Sequence, residues 1–253
     1  MAKRQGKTAI ILENEVGIAS FAAVVGPKEA EGPLKDYFDK RYSDEMLGEK
    51  SFEKAESKLQ QAAVDEAFKK GGFKRQDMDV IFAGDLLNQC IGSSYGLRDF
   101  DIPFIGLYGA CSTMVLSLIN ASLSVEGGWA KRSVAVTSSH FCSSERQFRF
   151  PLEYGGQRPP TAQWTVTGAG AAVVQNGGKI KVKAASIGRI VDYGVTDMGN
   201  MGAAMAPDDV KIRPYPTNEG MVFFYTQIQY LRGFKTTKLI IRAPLLNGAS
   251  VIW

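Results

Sequence analysis

The stretch Phe104-Ile105-Gly106-Leu107-Tyr108-Gly109-Ala110-Cys111-Ser112-Thr113 decides the fold. An apolar, strand-like run stops at Gly109-Ala110. A cysteine follows, and a helix of small and apolar residues runs from Thr113 to Val125. The Cys111 sulfur therefore lies at a strand-to-helix turn, where free helix N–H groups and the helix dipole favour a thiolate or a bound anion. This geometry suits both a nucleophile and an anion site, and the rest of the chain must decide between them.

Outward from this turn, Thr8 to Val25 reads as a strand or strand pair, and Gly32 to Gly48 as a polar surface loop. Lys50 to Lys70 carries Phe52, Ala55, Leu59, Ala62, Ala63, Ala67 and Phe68 at helical spacing, and Gly71-Gly72 ends it. Met78 to Ala83 is a short strand, and Gly92 to Leu97 opens a helix. Ser133 to Thr137, Thr165 to Gln175 and Ile180 to Ile190 are further strands. Strands alternating with helices define an α/β fold with a mixed, mostly parallel sheet, whose ligands bind beyond the carboxyl ends of the strands. Asp85, Cys111 and His140 each fall just past a strand end, so one pocket can collect them. The helix after Cys111 is apolar on every side and must be buried on every side.

The composition excludes several classes. The 253 residues hold no apolar run near the roughly 20 residues of a membrane span, and no secretory signal is expected. A net charge of +4 is too small and too scattered for nucleic acid. Cys90, Cys111 and Cys142 lack metal spacing and fit a reducing cytosol, with Cys90 and Cys142 read as packing residues. His140 is the single histidine, which leaves little scope for a metal site. Gly168-Ala169-Gly170-Ala171-Ala172 lies inside a strand and is a close-packing segment, not a dinucleotide fingerprint. No metal or cofactor is expected.

Three landmarks resemble the thiolase and ketoacyl-synthase superfamily: the strand–Gly-Ala-Cys–helix unit, the strand Ser133 to Ser138, and Val166-Thr167-Gly168-Ala169-Gly170-Ala171-Ala172-Val173. Within it, Gly84-Asp85-Leu86-Leu87-Asn88-Gln89, Ser93-Ser94-Tyr95-Gly96-Leu97-Arg98 and Asn200-Met201-Gly202-Ala203-Ala204-Met205-Ala206-Pro207 resemble the stage V sporulation protein AD family. The resemblance implies two similar α/β halves in five layers and a homodimer joined at the strand before Cys111. It also implies a non-catalytic role in dipicolinic acid uptake into the developing spore. The ligand would come free or as its calcium complex, and the partners would be the other proteins of the spore uptake operon. The chain would be cytoplasmic, peripheral on the forespore inner membrane. The alternative is a condensing enzyme with Cys111 as nucleophile.

A flat aromatic dicarboxylate needs donors or cations for its charges and a slot for its ring. On this reading the N–H groups of Ser112 and Thr113 serve one carboxylate, and Arg98 or Arg146 the other. Tyr95 or Tyr108 flanks the ring, and Ser93, Ser94, Ser138 and Ser139 add donors. Asp85, with Asn88 and Gln89, orders the pocket, contacts a calcium ion or caps a helix. His140 is a pocket-wall or structural residue. The expected divisions are a first half over 1–179, the start of a second half over 180–207, and an atypical tail over 208–253. That tail matches nothing in the family pattern and is expected to be non-native, from a frameshift or truncated gene.

Overall fold

The computed structural model describes residues 2–7, 9–109, 112–148, 165–191, 221–230 and 233–242. Two antiparallel strands, β1 (Lys3–Gln5) and β2 (Ala9–Ile11), precede the long β3 (Val16–Val25). The expected surface loop holds a 3₁₀ turn (Lys35–Tyr37) and the two-residue β4 (Lys40–Arg41), with the short helix α1 (Pro27–Ala30) before it. Then come α2 (Phe52–Gly71), β5 (Val80–Gly84), α3 (Ile91–Leu97), β6 (Phe104–Gly106), α4 (Thr113–Glu126), β7 (Arg132–Ser139) and α5 (Phe141–Phe148). The strands β8 (Gly168–Asn176), β9 (Ile180–Val191), β10 (Met221–Tyr230) and β11 (Gly233–Arg242) follow.

Local chemistry sets the helix ends. The Ser51 hydroxyl accepts the Lys54 N–H at 3.3 Å and caps α2. Gly72 closes the helix in a left-handed conformation, φ +70°, which costs a glycine little.

One sheet runs in the order β1-β2-β9-β3-β8-β7-β5-β6. The β5–β6 and β5–β7 pairings are parallel, whereas β8 runs antiparallel to both β7 and β3. Four strands of the β3-β8-β7-β5-β6 section therefore point one way and only β8 is reversed. The sheet is mixed and mostly parallel there, while the β1, β2, β9 and β11 extension is joined by antiparallel pairings.

Alternation along the strands splits the core into two faces. Val80, Phe82, Ala135, Ala172 and Val174 pack with Met114, Val115, Leu118, Ile119 and Val125 of α4. Ile81, Ala83, Val134, Val136, Ala171 and Val173 pack with Ala55, Leu59, Ala63 and Ala67 of α2. The result is an αβα sandwich with α2 and α4 on opposite sides. As its sequence requires, α4 is enclosed: Val115 and Leu118 are 1% exposed, while Leu116, Asn120 and Leu123 stay half-buried. The β10–β11 hairpin, a region where the sequence pattern assigned no element, pairs with β9 and runs beside α4.

Gly84 ends β5 against the turn that leads into α4. A Cβ there would overlap the Leu107 carbonyl oxygen and come within 2.5 Å of Thr113 Cγ2. Gly170, in β8, leaves 4.0 Å to the nearest atom. Gly84→Ala is expected to cost at least about 1–3 kcal/mol, and Gly170→Ala to change stability by less than about 0.5 kcal/mol. Urea unfolding midpoints of the two variants check this.

Candidate functional site

The carboxyl ends of β5, β6 and β7 meet above the sheet. β5 delivers Asp85, β7 delivers Ser138, Ser139 and His140, and the turn after β6 delivers Gly109, Ser112 and Thr113. Cys111, the expected centre of the site, lies outside the described residues, as do the Asn88 and Arg146 side chains and the Asn200–Pro207 motif.

Asp85 is 1% exposed, and its carboxylate is fully engaged. It accepts the Leu87 N–H at 2.9 Å, the Ser93 N–H at 2.7 Å and the Ser93 hydroxyl at 2.6 Å. It thus holds the first turn of α3 and the loop before it. Of the roles expected of it, helix capping describes these contacts. Burial pushes its carboxyl above the usual range, against those hydrogen bonds. The loop it holds is bent sharply, since Gln89 and Cys90 both have left-handed φ, +61° and +52°. Cys90 donates its thiol to the Leu107 carbonyl at 3.3 Å, and burial raises its pKa.

The turn into α4 differs from expectation. The Ser112 N–H donates to the Gly109 carbonyl at 3.0 Å and the Ser112 hydroxyl does the same at 2.9 Å. The Gly109 N–H donates to Thr113 Oγ1 at 3.1 Å. Ser112 is therefore committed to closing the turn, because a buried N–H takes the nearest carbonyl, and it does not present its N–H to a ligand. Any anion at this helix end meets N–H groups further into the first turn.

His140 is fully buried. The Cys142 N–H donates to its Nδ1 at 3.2 Å, which assigns the ring proton to Nε2, and Nε2 donates to the Glu45 carbonyl at 2.8 Å. Phe52 lies beside the ring, centroids 5.3 Å apart. Neither nitrogen faces the site, so His140 supports the wall and is not the ligand contact or base its strand-end position allowed.

Ser94, Tyr95 and Arg98 are not brought to the strand ends either. In α3, Gly92, Ser93, Gly96 and Leu97 point inward, and the 3.6-residue period turns Ser94, Tyr95 and Arg98 to solvent. Arg98 sits over the Tyr95 ring at 5.8 Å and pairs with Asp99 at 3.3 Å. With Ser94, Asp101, Ile102 and Phe104 it borders an open groove of 490 Å³ beside β6. Ser139 donates to the Val166 carbonyl at 2.5 Å, and Tyr108 is half-buried.

Two residues of α2 that sequence reasoning passed over stand under the site. Glu56 and Gln60 are wholly buried. Ser138 donates to Glu56 Oε1 at 2.9 Å and Ser143 to Glu56 Oε2 at 2.8 Å. Gln60 Nε2 lies 3.1 Å from the Gly84 carbonyl, 2.9 Å from Ser93 Oγ and 2.8 Å from Ser138 Oγ. The signal was available: 56 and 60 continue the inward stripe of Phe52, Leu59, Ala63 and Ala67, so a charge and an amide occupy core positions. Burial pushes Glu56 up to about 7, helped by the Asp85 charge and opposed by the two serines.

The αβα sandwich, with α4 following the end of β6, has a thiolase-like fold. A mutant OleA of Xanthomonas campestris superposes with a TM-score of 0.50 at 14% identity, covering 79% of this chain and 70% of that one. The profile of the stage V sporulation protein AD family matches residues 6–214, and the chain belongs to that family. It is 46% identical over 206 residues to stage V sporulation protein AD of Bacillus subtilis (strain 168). That alignment takes in 81% of this chain and 61% of the relative, so the chain spans under two thirds of the relative's length.

Glu56 makes stability pH-dependent. Its folded pKa exceeds the unfolded value of 4.5, so the folded state holds the proton more tightly. The stabilisation is complete below pH 4.5 and is lost as pH rises to about 7. Asp85 acts in the same direction. Glu56→Gln is expected to stabilise the protein by about 2–3 kcal/mol at pH 8 and to lose most of that advantage at pH 5. Denaturant midpoints at the two pH values check it, and a pH-independent difference contradicts it.

Proposed function

We propose that this chain is a non-catalytic binding component that takes up dipicolinic acid, free or as its calcium complex, for import into the developing spore. Family membership supports the sporulation context, and the geometry supports binding over chemistry. The observation that carries the choice is His140: the single histidine of the chain has both ring nitrogens held by backbone groups, so it does not activate the Cys111 thiol. An acyl transfer through Cys111 needs such a base.

In this reading one carboxylate of the ligand lies at the N-terminal end of α4, where the helix dipole favours negative charge. The end of β7 and the half-buried Tyr108 flank it. The chain acts with the other proteins of the spore uptake operon, on the cytoplasmic face of the forespore inner membrane. Among the described residues no helix is long and apolar enough to cross a membrane.

The same reading makes the protein a homodimer through β6. Among the described residues this strand ends the sheet path, and Phe104 and Ile105 are 40% and 41% exposed. An unpaired edge with apolar side chains accepts a second copy.

Calorimetric titration with dipicolinate, with and without calcium, is expected to give saturable heat. Incubation with an acyl-CoA is expected to leave the intact mass unchanged. No heat from this chain or from a full-length relative contradicts the reading, and a thioester on Cys111 replaces it with the condensing enzyme. Ile105→Lys is expected to convert a dimer to a monomer in light scattering without lowering the melting temperature.

A further inference from the structure

Segments that reach the strand ends from four parts of the chain converge on α2. Gln60 contacts Gly84 at the end of β5, Ser93 in α3 and Ser138 in β7, and Glu56 binds Ser138 and Ser143 of α5. All are buried. The Gly84 carbonyl can only accept, so the NH₂ end of Gln60 faces it. The Ser93 hydroxyl hydrogen goes to Asp85 and the Ser138 hydroxyl hydrogen to Glu56. Both oxygens therefore turn lone pairs toward Gln60, and only its NH₂ end can face them. Two N–H groups serve three acceptors, while the amide oxygen is buried without a partner. Packing alone gives no reason for an amide here, because methionine has the same reach; what the amide adds is N–H groups for three buried acceptors.

We infer that Gln60, with Glu56 behind it, is a positioning residue for the ligand site: it sets the spacing of the Asp85–Ser93 loop against the end of β7 and the start of α5, without touching the ligand. The affinity readout rests on the dipicolinate reading above; the exchange readout does not.

The test compares the parent chain with Gln60→Met and with Leu59→Ala, a cavity made one residue away on the same helix. Gln60→Met is expected to weaken dipicolinate binding about tenfold or more. It is also expected to speed amide exchange about tenfold at Leu87 and Ser93, the two N–H groups held by Asp85, relative to Val173 in the sheet. Leu59→Ala is expected to lower the melting temperature at least as far, with affinity within about twofold of the parent. Unchanged affinity and exchange in Gln60→Met overturn the inference, and so does an equal loss of affinity in Leu59→Ala. If the parent does not bind dipicolinate, the functional reading falls, and the exchange rates alone uphold or overturn the positioning role. If Gln60→Met does not fold, Ser138→Ala and Ser138→Thr replace it. Threonine keeps the hydroxyl and is expected to recover most of what alanine loses, whereas equal losses overturn the inference.

Discussion

The amide of Gln60 has one permitted orientation, and the strand-end region is arranged around it. Two serine hydroxyls pointing their hydrogens at carboxyl oxygens leave lone pairs that the Gln60 N–H groups meet. In a desolvated setting, each bond in such a chain polarises the next, and an unmade one is expensive. The contacts of 2.8–3.1 Å around Nε2 thus link a helix on one face of the sheet to loops that rise from its edge. Two acids share this network. Glu56 holds its proton to about pH 7, which relieves the repulsion from Asp85.

Much of the architecture was legible in the sequence. Helical spacing with Gly71-Gly72 gave α2 to within two residues, and the wholly apolar run after Ser112 gave α4. Both are long and periodic, so packing and pattern agree. The mostly parallel direction of the sheet was also legible, because βα units leave parallel strands, whereas the reversal of β8 between β3 and β7 is a matter of pairing and was not. The β10–β11 hairpin was not assigned, although both segments are rich in β-branched and aromatic residues.

The site was only partly legible. Position past a strand end found Asp85 and His140 but not their contacts, because hydrogen bonding to loop backbone is a tertiary fact. A seven-residue helix shows each of its sides only once or twice, so Ser93 and Ser94 looked equivalent in sequence. In space one is buried against Asp85 and the other faces water. Glu56 and Gln60 read as ordinary helix-surface residues by type and as core residues by position. When the two disagree, a buried functional or organising group is the reading to try first.

The small side chains of β8 gain a meaning from this. Ala169 and Ala171 are among the sheet residues that α2 rests on, alongside Val173. They act as a thin shim between helix and sheet. A valine or leucine there would wedge the helix outward by a fraction of a bond length, and a chain of close polar contacts cannot stretch to follow. The dimensions of a recess on one edge of the molecule are in this way governed by missing bulk in the strand that pairs with β7.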